Sequence, residues 1–241
     1  MLLPALQKSR ERAMSTSCLG IFNTIGKCHS LYNNDNQDWL LPYRNSNQGY
    51  VSGDGSVSWN ASDVGLLSAY LGVTPGACIG GAILDNGKLT KNPYLCPKRS
   101  PEGYLGMKKI TSRTKLGGIG LSAPASSSAN LTKLSRCKYA SRNAYFSESR
   151  FSASGHYVDY QDGTYSASNR MAFPHGGWDA LRDEDSYLAV GPGSASFAMV
   201  DGHAVQLQRN KVPTLGWDNK ANLKTLWRLF AYDQYGVRDN W

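Results

Sequence analysis

Cys18, Ile21, Phe22, Ile25, His29 and Tyr32 recur at steps of three and four residues, and this pattern limits the fold more than any other feature of the chain. The spacing puts all six on one side of an α-helix. It predicts a helix over residues 2–33, ended by the cluster Asn33, Asn34, Asp35 and Asn36. A helix with a single apolar stripe must lay that stripe on something, so this one is expected to pack on a soluble body. His29 falls inside the stripe and reads as a packing residue. Pro4 lies in the apolar start Leu2–Leu6, where it removes a backbone hydrogen bond and predicts a kinked or opened turn.

The body is expected to be rich in strands. The chain holds 14 tyrosines, 6 tryptophans and 25 glycines in 241 residues, which favours strands and turns over a helical bundle. A second, shorter helix is predicted over 63–71, with Ser62 as N-cap, Gly72 as the stop and Leu66, Leu67, Tyr70 and Leu71 as its apolar face. Asn143–Ser147 reads as a strand, and the Gly- and Ser-rich stretch 111–130 reads as a long surface loop. In ASFAMVDGHAVQLQ, Asp201-Gly202 separates two apolar runs, which predicts a two-residue hairpin pairing Val200 with His203 and Ala198 with Val205. Apolar residues fall on both of its faces, so the hairpin is expected to be covered. Leu223, Leu226, Trp227 and Phe230 suggest a carboxy-terminal helix. The resulting fold class is α+β: a long amino-terminal helix (1–34) packed on an antiparallel sheet in a head of residues 35–241, the two forming one domain, with long loops and a closing helix.

Net charge is +8, and its source is local. Residues 98–150 carry 11 Lys/Arg against two acids, whereas the rest of the chain is close to neutral. Such a segment can attract nucleic acid or an anionic surface. It lacks a nucleic-acid motif, and Tyr104, Tyr139, Tyr145 and Phe146 show no stacking-platform spacing, so nucleic acid is not the expected partner. Trp39, Trp59 and Trp178 could stack on a polysaccharide, although such residues more often sit in a core.

Five cysteines, at 18, 28, 78, 96 and 137, include no CxxC pair, which removes zinc-ribbon and thioredoxin readings. Cys18 and Cys28 lie ten residues apart on one predicted helix, about 15 Å along its axis, beyond disulfide reach. His175, Asp201 and His203 are zinc-type ligands, with Asp179, Asp183 and Asp185 nearby, but no HExxH or related spacing supports a catalytic metal. Asn33–Asp38 and Asp159–Asp162 are oxygen-rich enough for calcium, yet match no EF-hand and read as turn formers. No Gly-x-Ser-x-Gly elbow and no phosphate-binding Gly-Lys-Ser/Thr loop is present, so neither a hydrolase nor an ATPase is expected.

The first residues suggest a membrane. Leu2–Leu6 are followed at once by Lys8, Arg10, Glu11 and Arg12, and basic residues just past an apolar segment mark a membrane exit. Five apolar residues cannot span, since a bilayer core needs about 20. LLPALQKSRERAMSTSCLGIFNTIGK resembles the segment that follows the membrane-embedded half of a prepilin helix, in type IV pilin-like and type II secretion pseudopilin-like proteins. The resemblance is to the prepilin-type cleavage/methylation group with a carboxy-terminal His…Asp-Gly signature. It rests on Leu2–Leu6 with Pro4, Arg10–Arg12, Cys18, Asn23–Lys27, Cys96-Pro97, His175-Gly176-Gly177 and Val200-Asp201-Gly202-His203, with Trp178–Ser194 lengthening the last gap. It implies a structural, non-enzymatic subunit of a pilus or secretion pseudopilus. That subunit would be anchored in the inner membrane by an apolar helix upstream of Met1, with its head periplasmic or extracellular and other pilin subunits as partners. An adhesin for DNA or polysaccharide and a metal-dependent hydrolase are the competing readings.

Overall fold

The structure is a computed structural model. It describes residues 2–41, 44–45, 57–58, 67–73, 79–85, 87–99, 114–122, 133–137, 140–142, 144–152, 157–158, 172–176, 193–208 and 211. Helix α1 spans Leu2–Asp35 and α2 spans Ser68–Leu71. The strands are β1 (Arg44–Asn45), β2 (Val57–Ser58), β3 (Ala82–Asp85), β4 (Lys88–Lys91), β5 (Thr114–Ser122), β6 (Ala144–Ser152), β7 (Tyr157–Val158), β8 (Ser194–Met199) and β9 (Ala204–Gln208). β1 and β2 form a separate small ribbon. The main sheet runs β4-β3-β5-β6-β8-β9, antiparallel throughout, with β7 added in parallel to β5. The class is therefore α+β.

α1 lies across β8 and β9. Cys18, Phe22, Ile25, His29 and Tyr32 are buried, as the sequence periodicity demands, and Ile21 is partly covered at the stripe's edge. They meet Ile119, Phe146, Ala198 and Val200 on the near face of the sheet. On the far face a smaller cluster of Ala144, Ala195, Phe197 and Met199 is covered by Phe173, so β8 is buried on both sides. Among the described residues, no helix is long and apolar enough to cross a membrane.

α1 is helical from Leu2 through Pro4 to Asp35. Three expectations change. The expected loop 111–130 contains β5, a nine-residue strand paired with both β3 and β6. Its glycines hid it, because the register with β6 shifts between Gly117 and Ile119, and glycine in a strand commonly marks such an irregularity. Of the second helix only Ser68–Leu71 is helical among the described residues; Ser62 and Leu66 lie outside them, while Gly72 closes the helix at φ 60°. The carboxy-terminal helix also lies outside the described residues.

The third change is the hairpin. Phe197 faces Val205 and Ala198 faces Ala204, one residue away from the expected register. The Met199 amide donates to the His203 carbonyl (2.8 Å), and the Gly202 amide donates to the Met199 carbonyl (2.9 Å). Val200, Asp201 and Gly202 thus form a three-residue loop whose last member is left-handed, at φ 90°. The single extra loop residue shifts every cross-strand pair.

Gly202 has a second reason to be glycine. It is buried against α1, and a Cβ there would stand 2.3 Å from Ser30 Oγ and 2.9 Å from the Gly26 carbonyl. A Cβ on Gly26 would in turn stand 2.1 Å from the Gly202 carbonyl. Helix and hairpin loop therefore touch backbone to backbone. Helix propensity and packing now oppose each other at Gly26, and a comparison with exposed Gly20, where a Cβ meets nothing within 4 Å, separates them. Gly20→Ala should stabilise the chain by about 0.5–1 kcal/mol. Gly26→Ala should destabilise it by about 1–3 kcal/mol. Urea denaturation of both variants is the measurement, and equal shifts of the same sign would refute the contact.

Candidate functional site

Four polar side chains meet in the seam between α1 and the sheet. Cys18 comes from the buried stripe of α1. Glu148 comes from the middle of β6, opposite Ile119 of β5 and facing the helix. Cys96 is brought in by a turn after β4, in which Asn92 Oδ1 accepts the Tyr94 amide (2.9 Å) and the Leu95 amide donates to the Asn92 carbonyl (3.0 Å). That turn is an Asx-type bend, which asparagine favours. His175 is placed by a two-bond bridge to Ser194: the His175 amide donates to the Ser194 carbonyl (3.1 Å) and the Ser194 amide to the His175 carbonyl (2.6 Å).

All four are buried, and their donor atoms lie within 4.8 Å of one another. Cys18 and Cys96 form a disulfide, with Cα atoms 5.2 Å apart and a separation of 78 positions in sequence. Glu148 Oε1 lies 3.0 Å from Cys18 Sγ and 3.3 Å from His175 Nε2. Its other oxygen accepts the Ser196 amide at 2.9 Å. Cys96 Sγ is 3.5 Å from His175 Nε2. One turn of helix earlier Ser15 bonds Gln206 of β9, and two turns earlier Glu11 pairs with Lys98. A row of polar contacts therefore locks α1 to the Cys96 turn and to the sheet.

The sequence signal for this cluster was divided. Cys18, Cys96 and His175 each stood out through the prepilin resemblance, but nothing joined them. Glu148 lies in a strand with no motif around it, so the sequence gives no sign of it. The three zinc-type candidates are not one site. His175 is bridged to Ser194 at the start of β8, whereas Asp201 follows its end, about 20 Å away along the strand. Asp201 and His203 pair with each other at the hairpin tip, Oδ1 to Nδ1 at 2.6 Å, with both side chains partly exposed. Asp179, Asp183, Asp185 and Asp159–Asp162 lie outside the described residues. Asn33–Asp38 serve to end α1: the Asp38 amide donates to the Asn33 carbonyl (2.8 Å), and the Asp38 carboxylate accepts the Ser135 amide (2.9 Å). Of the tryptophans, Trp39 is partly exposed with the Lys133 ammonium 5.2 Å from its ring centre, and Trp59 and Trp178 lie outside the described residues.

His29 is the other buried imidazole. It stacks on Tyr145 at 4.5 Å and meets Phe146 edge-on. Its Nε2 accepts the Leu41 amide (3.5 Å). Burial pushes its pKa down to about 3. The same burial pushes the Tyr145 hydroxyl up, and that hydroxyl donates to the Leu41 carbonyl.

No protein-family model, curated protein or solved structure matches this chain.

Two outcomes follow from these side chains. His29 stays neutral in the folded chain, while in the unfolded chain it takes up a proton below about pH 6.5. Its stabilising effect is therefore complete above pH 6.5 and lost as pH falls towards 3, by about 1.4 kcal/mol per pH unit. Chemical denaturation from pH 7 to 4 should show a slope shallower by one proton in His29→Phe, and unchanged slopes would show that His29 is charged when folded. For the disulfide, Cys96→Ser should cost about 2–4 kcal/mol with a chelator present, because the bond closes a long loop. Urea midpoints of the two chains check this.

Proposed function

We propose that the chain is a pilin-like structural subunit, without catalytic activity, of a pilus or type II secretion pseudopilus. The observation that carries this reading is the way α1 is divided. From Cys18 onward the helix buries its stripe on the sheet, whereas Pro4–Arg10 are exposed and Leu6 is 68% accessible. An apolar helix end standing clear of the body, with Lys8, Arg10 and Arg12 behind it, suits packing against neighbouring helices and the inner edge of a bilayer. The sheet domain would face outward, in the periplasm or outside the cell. The Cys18–Cys96 disulfide supports an oxidising compartment of that kind.

The competing roles have less support. Within the basic segment, Lys98 is engaged with Glu11, Arg99 is buried and Lys133 lies over Trp39. A hydrolase built on His175, Asp201 and His203 would need those residues together, and they lie at opposite ends of β8.

The test uses the native reading frame in its own cell. The protein should fractionate with the inner membrane and with sheared filaments, and Leu6→Cys should cross-link to another pilin-type subunit. A stop codon directly upstream of Met1, together with a protein found wholly in the soluble cytoplasmic fraction, would overturn the reading.

A further inference from the structure

We propose that Cys18, Cys96, Glu148 and His175 form a buried binding site for a zinc-type divalent cation when the two cysteines are thiols, and that the disulfide is the oxidised, cation-free state of the same site. The inference does not rest on filament assembly.

The donor set is the first argument. Two sulfurs, one imidazole nitrogen and one carboxylate oxygen suit a borderline-soft tetrahedral ion and not calcium, which takes six or more oxygens. Size is the second argument. Bonds of about 2.3 Å to sulfur and 2.0–2.2 Å to nitrogen or oxygen place tetrahedral donors about 3.3–3.8 Å apart. Three of the edges are 3.0 Å (Cys18 to Glu148), 3.3 Å (Glu148 to His175) and 3.5 Å (His175 to Cys96), and all donor atoms lie within 4.8 Å of one another. The Cys18–Cys96 edge is closed by the covalent bond. Opening it from a disulfide's length of about 2.05 Å to about 3.7 Å needs each sulfur to move by less than about 1 Å, within the freedom of χ1.

Burial is the third argument. Glu148 is fully inaccessible, with Cys18 Sγ at 3.0 Å and His175 Nε2 at 3.3 Å from its Oε1. A carboxylate in such a place needs a compensating positive charge. A divalent cation supplies that charge, and the Ser196 amide on Oε2 orients the carboxylate from behind, as the partners of metal-bound carboxylates commonly do.

The exchange balances. A dithiol reductant attacks the Cys18–Cys96 bond, supplies two electrons and two protons, and leaves as its own disulfide. Two thiols remain, and cation entry displaces their protons. In the reverse direction a disulfide oxidant withdraws two electrons from the thiolates, the sulfur–sulfur bond reforms and the cation leaves. α1 is tied to the Cys96 turn, β6 and the His175 segment in both states, once by a covalent bond and once by coordination.

The experiment is cobalt titration of the full chain, oxidised and after anaerobic reduction with a phosphine. The reduced chain should bind one cobalt, with the visible absorption of a tetrahedral ion and thiolate charge transfer in the near ultraviolet. Zinc should displace the cobalt and raise the melting temperature of the reduced chain. The oxidised chain should bind none. Glu148→Gln should weaken binding at least tenfold with both thiolate bands kept, and His203→Ala should leave the titration unchanged. A reduced, folded wild-type chain that takes up no cobalt, or takes it up without thiolate bands, would overturn the proposal. Cobalt binding that persists in the Cys18→Ser/Cys96→Ser chain would do the same.

Discussion

The burial of one face of α1 against β8 and β9 is the contact on which the rest of the molecule depends. Phe22 and Ile25 are fully covered there, each contributing about 1.5–3 kcal/mol of apolar burial, and they meet Phe146, Ala198 and Val200 of the sheet. Without α1 the near face of the sheet would lose Phe22, Ile25 and Tyr32 from its buried cluster. Without the sheet the helix would have only its own propensity, which rarely holds a polar helix in water. The approach is set by two glycines. Gly26 and Gly202 bring helix and hairpin loop into backbone contact, closer than any side chain would permit.

Along this seam the contacts change character. Towards the carboxy-terminal end of α1 they are apolar and aromatic, with neutral His29 stacked on Tyr145. Towards the amino-terminal end they are polar and specific: Glu11 to Lys98, Ser15 to Gln206, and Cys18 within the Cys96–Glu148–His175 cluster. Apolar burial is nondirectional, so it permits sliding, whereas a disulfide and a fully engaged carboxylate do not. The polar end therefore fixes where the helix sits. In the proposed filament, load applied to the exposed end of α1 would reach the sheet first through these fixed contacts, and a covalent bond at Cys18 is well placed to carry it.

The hairpin ties the same elements from the other side. Its loop carries Asp201 and Gly202, which look at first like a chemical motif, but their role in the fold is to turn β8 into β9 while leaving room for α1. Asp201 is occupied with the amide and imidazole of His203 (3.2 and 2.6 Å), and Gly202 with the helix. The polar chemistry of the region lies instead at the other end of β8, where His175 is held against Ser194.

The sequence by itself determined α1, its buried stripe and the α+β class, because a 3.6-residue period survives whatever surrounds it. It also determined the turn at Asp201-Gly202, since positive φ asks for glycine locally. Tertiary structure alone decided the register of that hairpin, where one extra loop residue moves every pair and no local preference distinguishes the alternatives. It decided that Gly117, Gly118 and Gly120 belong to a central strand, because β5 is held by partners on both edges and not by its own propensity. It also decided the cluster of Cys18, Cys96, Glu148 and His175. Those residues lie on four elements spread over more than 150 positions, and only the folded chain brings their donor atoms within 4.8 Å.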